Sequence, residues 1–182
     1  MAFKDNILTF EDDKILTATG SEVMMSWEAP IMEKSAEYIC ESKGDILEIG
    51  FGMGICADYI QAQNVNSHTI VEIHPQIIEK LKIWASDKDN VTIIEGDWSS
   101  VSGLGTYDGI FIDTYEDENW GKFKAFALSK GKSGAKVTYW NSGLDLNQHS
   151  FENISFEEIE KGTAEFYTYA PDDNYYIPKV II

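Results

Sequence analysis

The chain has 182 residues, close to the length of a single domain on a prior of about 150 residues per domain. Its 31 acidic against 14 basic residues give a net charge of −17, a surface that repels nucleic-acid phosphates and anionic lipid and attracts small cations. No apolar run approaches the ~18 residues of a bilayer span, and residues 1–6 show no basic stretch leading into an apolar core, so the expected compartment is the cytoplasm.

Residues 1–20 read as an extended arm or short hairpin, with apolar runs on either side of Glu11-Asp12-Asp13. A helix is expected over 30–42, because proline is well tolerated in a first turn and Ile31, Ser35, Tyr38 and Ile39 share one face. Trp27 and Glu28 then sit just outside that helix, and residues 1–42 together form an N-terminal arm and helix that close over a cleft. From residue 44 the pattern alternates. Strands are expected over 45–49, 68–73, 91–95, 107–113 and 135–140, with helices after the first two. The first helix carries Ile55, Cys56, Tyr59 and Ile60 on one face, and the second, opened by Pro75, carries Ile77, Ile78, Leu81 and Trp84. Such alternation implies a parallel sheet covered on both faces. The segment between Asp113 and Ala135 is short for a full helix over 119–129, and 141–161 is compressed as well. Two β-rich runs, 163–170 and 175–182, flank the turn cluster of residues 171–174 and are expected to pair antiparallel at one edge. The fold class is therefore α/β: a mostly parallel seven-stranded sheet with an antiparallel C-terminal pair, in one domain over 1–182. Cys40 and Cys56 form no CxxC pair and read as buried reduced thiols, while His68, His74 and His149 lack metal-ligand spacing, so no metal is expected.

The sharpest local signal is Leu47-Glu48-Ile49-Gly50-Phe51-Gly52-Met53-Gly54, placed where a strand ends and a helix begins. Glycines there let backbone approach a ligand, and a helix N-terminus offers free N–H groups. Ile55 stands where a dinucleotide fingerprint needs its last glycine, which argues against a nicotinamide enzyme. The form G-x-G-x-G, preceded by an acid, resembles motif I of class I S-adenosylmethionine (SAM) methyltransferases, a Rossmann-like fold. Glu72, twenty residues beyond Gly52, is placed to accept from both ribose hydroxyls of a nucleoside. Asp97 after the third strand can accept from an adenine amino group, and Trp98 can pack on the ring.

The flanking segments resemble one family, the guanidinoacetate N-methyltransferases and their arginine δ-N-methyltransferase relatives. Val23-Met24-Met25-Ser26-Trp27-Glu28-Ala29-Pro30-Ile31-Met32 is similar to its V-M-x-x-W-E-x-P-x-M signature, and Asp108 to Tyr115 matches its D-G-I-x-x-D-T-Y. Gly50 to Met53, Val137-Thr138-Tyr139 and Asp173 to Pro178 also resemble family segments. Glu116 replaces the usual proline, and Asn141-Ser142-Gly143-Leu144 does not match the loop that relatives use for the far end of the substrate. The resemblance implies SAM as methyl donor and S-adenosylhomocysteine (SAH) as product. It places Glu48, Gly50, Phe51, Gly52, Met53, Gly54, Glu72, Ile73, Asp97, Trp98, Asp113 and Met24 at the donor. It places Trp27, Glu28, Asp113, Thr114 and Tyr115 at a small cationic guanidino substrate.

A guanidinium is planar, with N–H donors in a fork that fits carboxylates. Asp113 at a strand end and Glu28 on the approach segment can hold one from opposite walls, with Asp113 as proton acceptor and Glu28 as orienter. Two alternatives stay open at this point: a degenerate SAM- or SAH-binding module without turnover and a SAM enzyme for another amine. The oligomeric state is open as well, a homodimer paired through an exposed sheet edge being one option.

Overall fold

The computed structural model of the protein describes residues 2–141, 151–160 and 174–182. A 3-10 turn at Phe3–Asp5 precedes strands β1 (Leu8–Phe10), β2 (Lys14–Thr17) and β3 (Glu22–Met25), which form an antiparallel sheet in that order. The first two are the expected hairpin, with Leu8 opposite Thr17, and β3 is an additional strand that places Met24 opposite Ile15. Leu8, Ile15 and Met24 turn inward and join the core beneath the main sheet.

A second 3-10 turn, Ser26–Glu28, runs directly into α1 (Ala29–Ile39). Trp27 and Glu28 are therefore outside the α-helix, as expected, and Pro30 sits in its first turn, where a missing N–H costs nothing. The helix buries Ile31, Met32, Ser35, Ala36, Tyr38 and Ile39.

The main sheet contains β4 (Asp45–Ile49), β5 (Ser67–Glu72), β6 (Val91–Glu95), β7 (Tyr107–Ile112), β8 (Gly131–Tyr139), β9 (Ile154–Glu160) and β10 (Asn174–Ile181). Helices α2 (Ile55–Ala62), α3 (Pro75–Ala85) and α4 (Phe123–Lys130) connect β4 to β5, β5 to β6 and β7 to β8. The strand order is β6-β5-β4-β7-β8-β10-β9, parallel through β8, with β10 antiparallel to both neighbours. Alternate residues face opposite layers. Ile46, Ile70 and Phe111 pack with α1, α2 and α3, while Leu47, Ile49, Val71, Ile110, Ile112 and Val137 pack with Phe123 and Ala127 of α4. Each such aliphatic side chain, fully buried, contributes about 1.5–3 kcal/mol. Among the described residues, no helix is long and apolar enough to cross a membrane.

Two expectations are corrected. The segment after Asp113 does hold a helix, because a 3-10 turn at Trp120–Lys122 passes straight into α4 and β8 begins at Gly131 with no intervening loop. The partner of β10 is β9, inside the stretch read only as compressed; its acids occupy an edge strand whose Glu157 is paired with Lys179 at 2.7 Å. The 163–170 run, the turn at 171–173, His149 and residues 142–144 lie outside the described residues.

The chain leaves β4 for β5 on one side and reaches β7 on the other. Ligands of open α/β sheets gather at that reversal, beyond the carboxyl ends of the strands. Main-chain bonds fix the ends there: Gly50 N–H donates to Val71 O and Asp113 N–H to Ile49 O, each at 2.9 Å.

Candidate active site

A cavity of about 440 Å³ opens beyond the ends of β4, β5 and β7, with Phe3, Val23 and Met24 of the N-terminal segment on its opposite wall. The glycine turn forms one side, with Gly50, Gly52 and Gly54 at φ +87°, +54° and +81°. At Gly50 a Cβ would lie 1.9 Å from the main-chain oxygen of Asp113, and at Gly52 it would lie 2.3 Å from Met24 Sδ. Both positions therefore demand glycine for close approach as well as for dihedral freedom. Met53 N–H donates to Met24 Sδ at 3.1 Å, which ties β3 to the turn. Gly50, Phe51 and Gly52 line the cavity, while Met53 and Gly54 stand behind it.

Glu48 and Glu72 are both buried on the cavity wall. Glu72 Oε2 accepts from Phe51 N–H at 2.9 Å, and its Oε1 accepts from Ile73 and His74 N–H at 2.8 Å each. Burial nevertheless raises its proton affinity above the carboxylate norm, against those backbone donors. Glu48 Oε2 lies 2.8 Å from His68 Nε2, while Glu48 Oε1 is buried without a hydrogen-bond partner. Burial raises its proton affinity too, with His68 opposing.

Ile73, Asp97 and Trp98 line the cavity beyond β5 and β6. The Trp98 ring is buried edge-on to Phe126 at 4.9 Å, and its Nε1–H donates to Asp117 Oδ2 at 2.6 Å. Thr114 Oγ1 donates to the same oxygen at 3.0 Å. Asn119 Nδ2 donates to Asp97 Oδ2 at 2.9 Å, so the loop after β7 is stitched to the loop after β6. Tyr115 also lines the cavity, with the Phe3 ring 5.2 Å away.

Asp113 follows the last residue of β7 and faces the cavity. Its carboxyl is pushed well above the usual range, first by burial, then by the negative charges of Glu28, Glu48 and Glu72 in that order. Glu28 is only 3% exposed and lies off the cavity wall itself. Its Oε1 accepts from Met25 N–H and its Oε2 from Trp140 Nε1–H, both at 2.8 Å. Trp27 packs behind it with Ile31, Tyr175 and Ile177.

A family model described as guanidinoacetate N-methyltransferase matches residues 2–163. The chain belongs to the guanidinoacetate N-methyltransferase family. Protein arginine N-methyltransferase 2 of Aspergillus oryzae is 38% identical over 132 residues, which cover 68% of this chain and 32% of that protein. The protein of the same name from Debaryomyces hansenii is 30% identical over 185 residues, covering 91% and 41%. This chain thus spans well under half the length of the curated relatives it matches. Among solved structures, N-methyltransferase NodS from Bradyrhizobium japonicum WM9 superposes with a TM-score of 0.65 at 13% identity, covering 85% of this chain and 96% of that one. NodS in complex with S-adenosyl-L-homocysteine gives 0.65 at 12% identity, with 85% and 87% covered. Spermidine synthase from Thermotoga maritima also gives 0.65, at 12% identity, with 96% and 72% covered. At these identities the likenesses show the fold, a class I methyltransferase scaffold.

Several residues of this family member's site carried no signal in the sequence reading. Asp117 and Asn119 anchor Trp98 and Asp97 from a loop with no motif beyond the D-T-Y run. Tyr175 is buried, its hydroxyl accepts from Asn141 N–H, and burial together with the charges of Asp113 and Glu28 pushes its phenol well up. It stands in the same acidic neighbourhood, and only its place in the closing strand hinted at it. Cys40 and Cys56 are buried and unbridged. Among the described residues no cluster of His, Cys, Asp or Glu is arranged to hold a metal ion.

Proposed function

We propose that this chain transfers a methyl group from SAM to a guanidino nitrogen, carried by a small guanidino compound or an arginine side chain. The observation that carries the reading is Asp113 on the cavity wall, with the buried carboxylate of Glu28 as the strongest charge acting on it. All 14 basic residues of the chain are lysines, and Lys4 stands on the cavity wall, but the chain supplies no planar guanidinium of its own. A planar cation from outside fits that acidic place, because its N–H fork matches a carboxylate.

The residues on the donor side fit the cofactor. Glu48, whose Oε1 is buried without a hydrogen-bond partner, lines the cavity together with the Gly50 and Gly52 backbone and with Glu72 at the end of β5. When bound there, SAM supplies a methyl group activated by its positively charged sulfur. Asp97, Ile73 and the face left by Trp98 are the candidates for the adenine.

Asp113 then handles the proton. Preparing a free guanidine in advance costs about 8 kcal/mol at pH 7, because a guanidinium titrates far above neutrality. The proton therefore leaves as the N–C bond forms and the C–S bond breaks, passing from the reacting nitrogen to an Asp113 oxygen. Charge balances: the acid becomes neutral, the sulfur becomes a thioether, and the product is a methylguanidinium. In the free protein burial and the charges of Glu28, Glu48 and Glu72 raise the proton affinity of Asp113, and the bound cation returns it to the carboxylate that accepts the proton. Glu28, held by Met25 N–H and Trp140 Nε1–H, keeps a fixed negative charge behind the cation. Alignment of the nitrogen with the methyl group supplies the remainder, worth about 7–11 kcal/mol in well-held pairs.

The family description favours a guanidino acid and the fungal relatives' names an arginine side chain. Mass spectrometry after incubation with SAM and guanidinoacetate, arginine, agmatine or an arginyl peptide separates these. A methylated guanidine from any of them supports the reading, and none from all of them, with SAH bound, overturns it.

A further inference from the structure

One indole joins three elements around the proposed base. Trp140 follows the last residue of β8, and its N–H donates to Ile112 O at 2.9 Å, which sets it beside the end of β7, from which Asp113 continues. Its ring lies 5.9 Å from that of Tyr175 on β10. Its Nε1–H donates to Glu28 Oε2 at 2.8 Å, across 112 residues of sequence. The other oxygen, Oε1, accepts from Met25 N–H, a local bond that closes the turn Ser26–Glu28 on the residue before it. The local bond fixes one oxygen only. Hydrogen bonds to the charged form keep a buried carboxylate ionised, and taking one away favours the protonated acid.

Glu28 is buried and off the cavity wall, whereas Asp113 is on it. Like charges this strongly coupled favour one proton between the two acids. The other titratable groups acting on Asp113 are Glu48 of β4, Cys56 of α2, Glu72 of β5 and Tyr175 of β10, and burial keeps the thiol and the phenol neutral. Tyr115, Glu116, Asp117 and Glu118 of the loop after β7 and Lys4 of the arm share the wall. We propose that Trp140 is a positioning residue: its indole N–H holds the Glu28 carboxylate ionised behind the cavity wall, so that Asp113 alone meets the guanidinium fork and exchanges its proton. The proposal rests on the guanidino reading of the cavity.

The test is the pH dependence of agmatine binding in the presence of SAH, read by calorimetry. In wild type the affinity climbs as Asp113 loses its proton and then levels off. In Trp140→Phe, Glu28 takes the proton more readily, Asp113 stays ionised to lower pH, and the rise moves to lower pH. At the acid end, affinity relative to the plateau is then about 3- to 10-fold higher than in wild type, while the plateau itself falls about 10-fold. Glu28→Gln moves the rise the same way. Ile177→Val loosens the packing against Trp140 without touching the N–H, so it lowers the Tm and leaves the rise in place. Should Trp140→Phe fail to fold, replacing Trp140 by 3-benzothienylalanine keeps the bicyclic ring, removes the N–H and decides by the same readout. A lower plateau with an unmoved rise means that the indole only packs, and overturns the proposal, as does an unmoved rise in Glu28→Gln. A wild-type chain that holds SAH but binds no agmatine at any pH overturns the proposed function and this inference with it. Agmatine bound with the shift intact, yet never methylated, supports the inference and overturns only methyl transfer to that guanidine.

Discussion

Gly50 joins the donor loop to the proposed base, and replacing it measures that link. It sits at φ +87°, and a Cβ there would fall 1.9 Å from the main-chain oxygen of Asp113, against 3.4 Å for ordinary contact. Gly50→Ala therefore forces the two apart by about 1.5 Å, on top of about 1–2 kcal/mol for a left-handed alanine. The Asp113 segment has no slack to absorb this, because its N–H is bonded to Ile49 O while Gly50 N–H is bonded to Val71 O. A displacement of about 1 Å at a reacting group costs on the order of 100-fold in rate, and overpacking adds about 1–3 kcal/mol of destabilisation. The expected outcome is a kcat/KM lower by roughly 100-fold or more and a Tm lower by roughly 5–15 °C. Gly103→Ala is the control, since Gly103 shares the φ of +87° with nothing within 4 Å of its Cβ. Thermal melts and turnover on both variants separate dihedral strain from displacement. If the two variants lose activity and stability equally, the close approach to Asp113 is irrelevant and the reasoning fails.

Asp113→Asn removes the proton acceptor and should lower kcat by about 10²- to 10⁴-fold. The same change should raise the Tm of the ligand-free protein by a few degrees. Burial and neighbouring acids lift the Asp113 pKa, so the folded state binds the proton more tightly than the unfolded state, and stability is lost as pH rises from the ordinary carboxylate range through the raised pKa. A neutral asparagine is free of that loss, and melts across pH check it. Gly109→Ala, whose Cβ would meet Ile39 O at 2.2 Å beneath α1, should cost about 1–3 kcal/mol by overpacking. Because it lies away from the cavity wall, SAH affinity per folded molecule should stay unchanged in calorimetry.

The parallel half of this fold was legible because its signals are local. Apolar runs of strand length, Pro75 opening a helix and the glycines after Ile49 each declare themselves within a few residues. What escaped depends on contacts distant in sequence. The segment of β3 reads as a motif, and only pairing with β2 makes it a strand. Strand β9 carries three glutamates among its seven residues at an edge, where pairing with β10 supplies the order its composition does not. Glu28 was placed on an approach segment facing the cleft, yet its partner Trp140 is 112 residues away and holds it behind the wall. Trp98 lines the cavity as a ring for adenine requires, but its orientation is set by Asp117 and Phe126, which no local motif announces. His68 looked isolated because spacing along the chain says nothing of Glu48, which the register of β4 against β5 brings onto the same face.

The clustering of acids has one consequence that binding itself can report. Glu48, Glu72 and Asp113 share the cavity with Glu28 just behind, and burial plus mutual repulsion raises the proton affinity of Asp113 well beyond that of an isolated aspartate. A guanidinium entering the cavity reverses that balance, because a nearby cation favours the ionised acid. Where Asp113 is protonated in the free protein, binding must expel its proton. Guanidine affinity therefore climbs with pH through the raised pKa and levels off above it. Calorimetry of agmatine binding in the presence of SAH, in buffers of different ionisation enthalpy, reads the released proton directly. Heat that depends on the buffer below the pKa and not above it is the expected pattern, and Asp113→Asn should abolish the dependence. Buffer-independent heats at every pH in the wild type would mean that Asp113 does not face the bound cation, and its role as proton acceptor would fall with it.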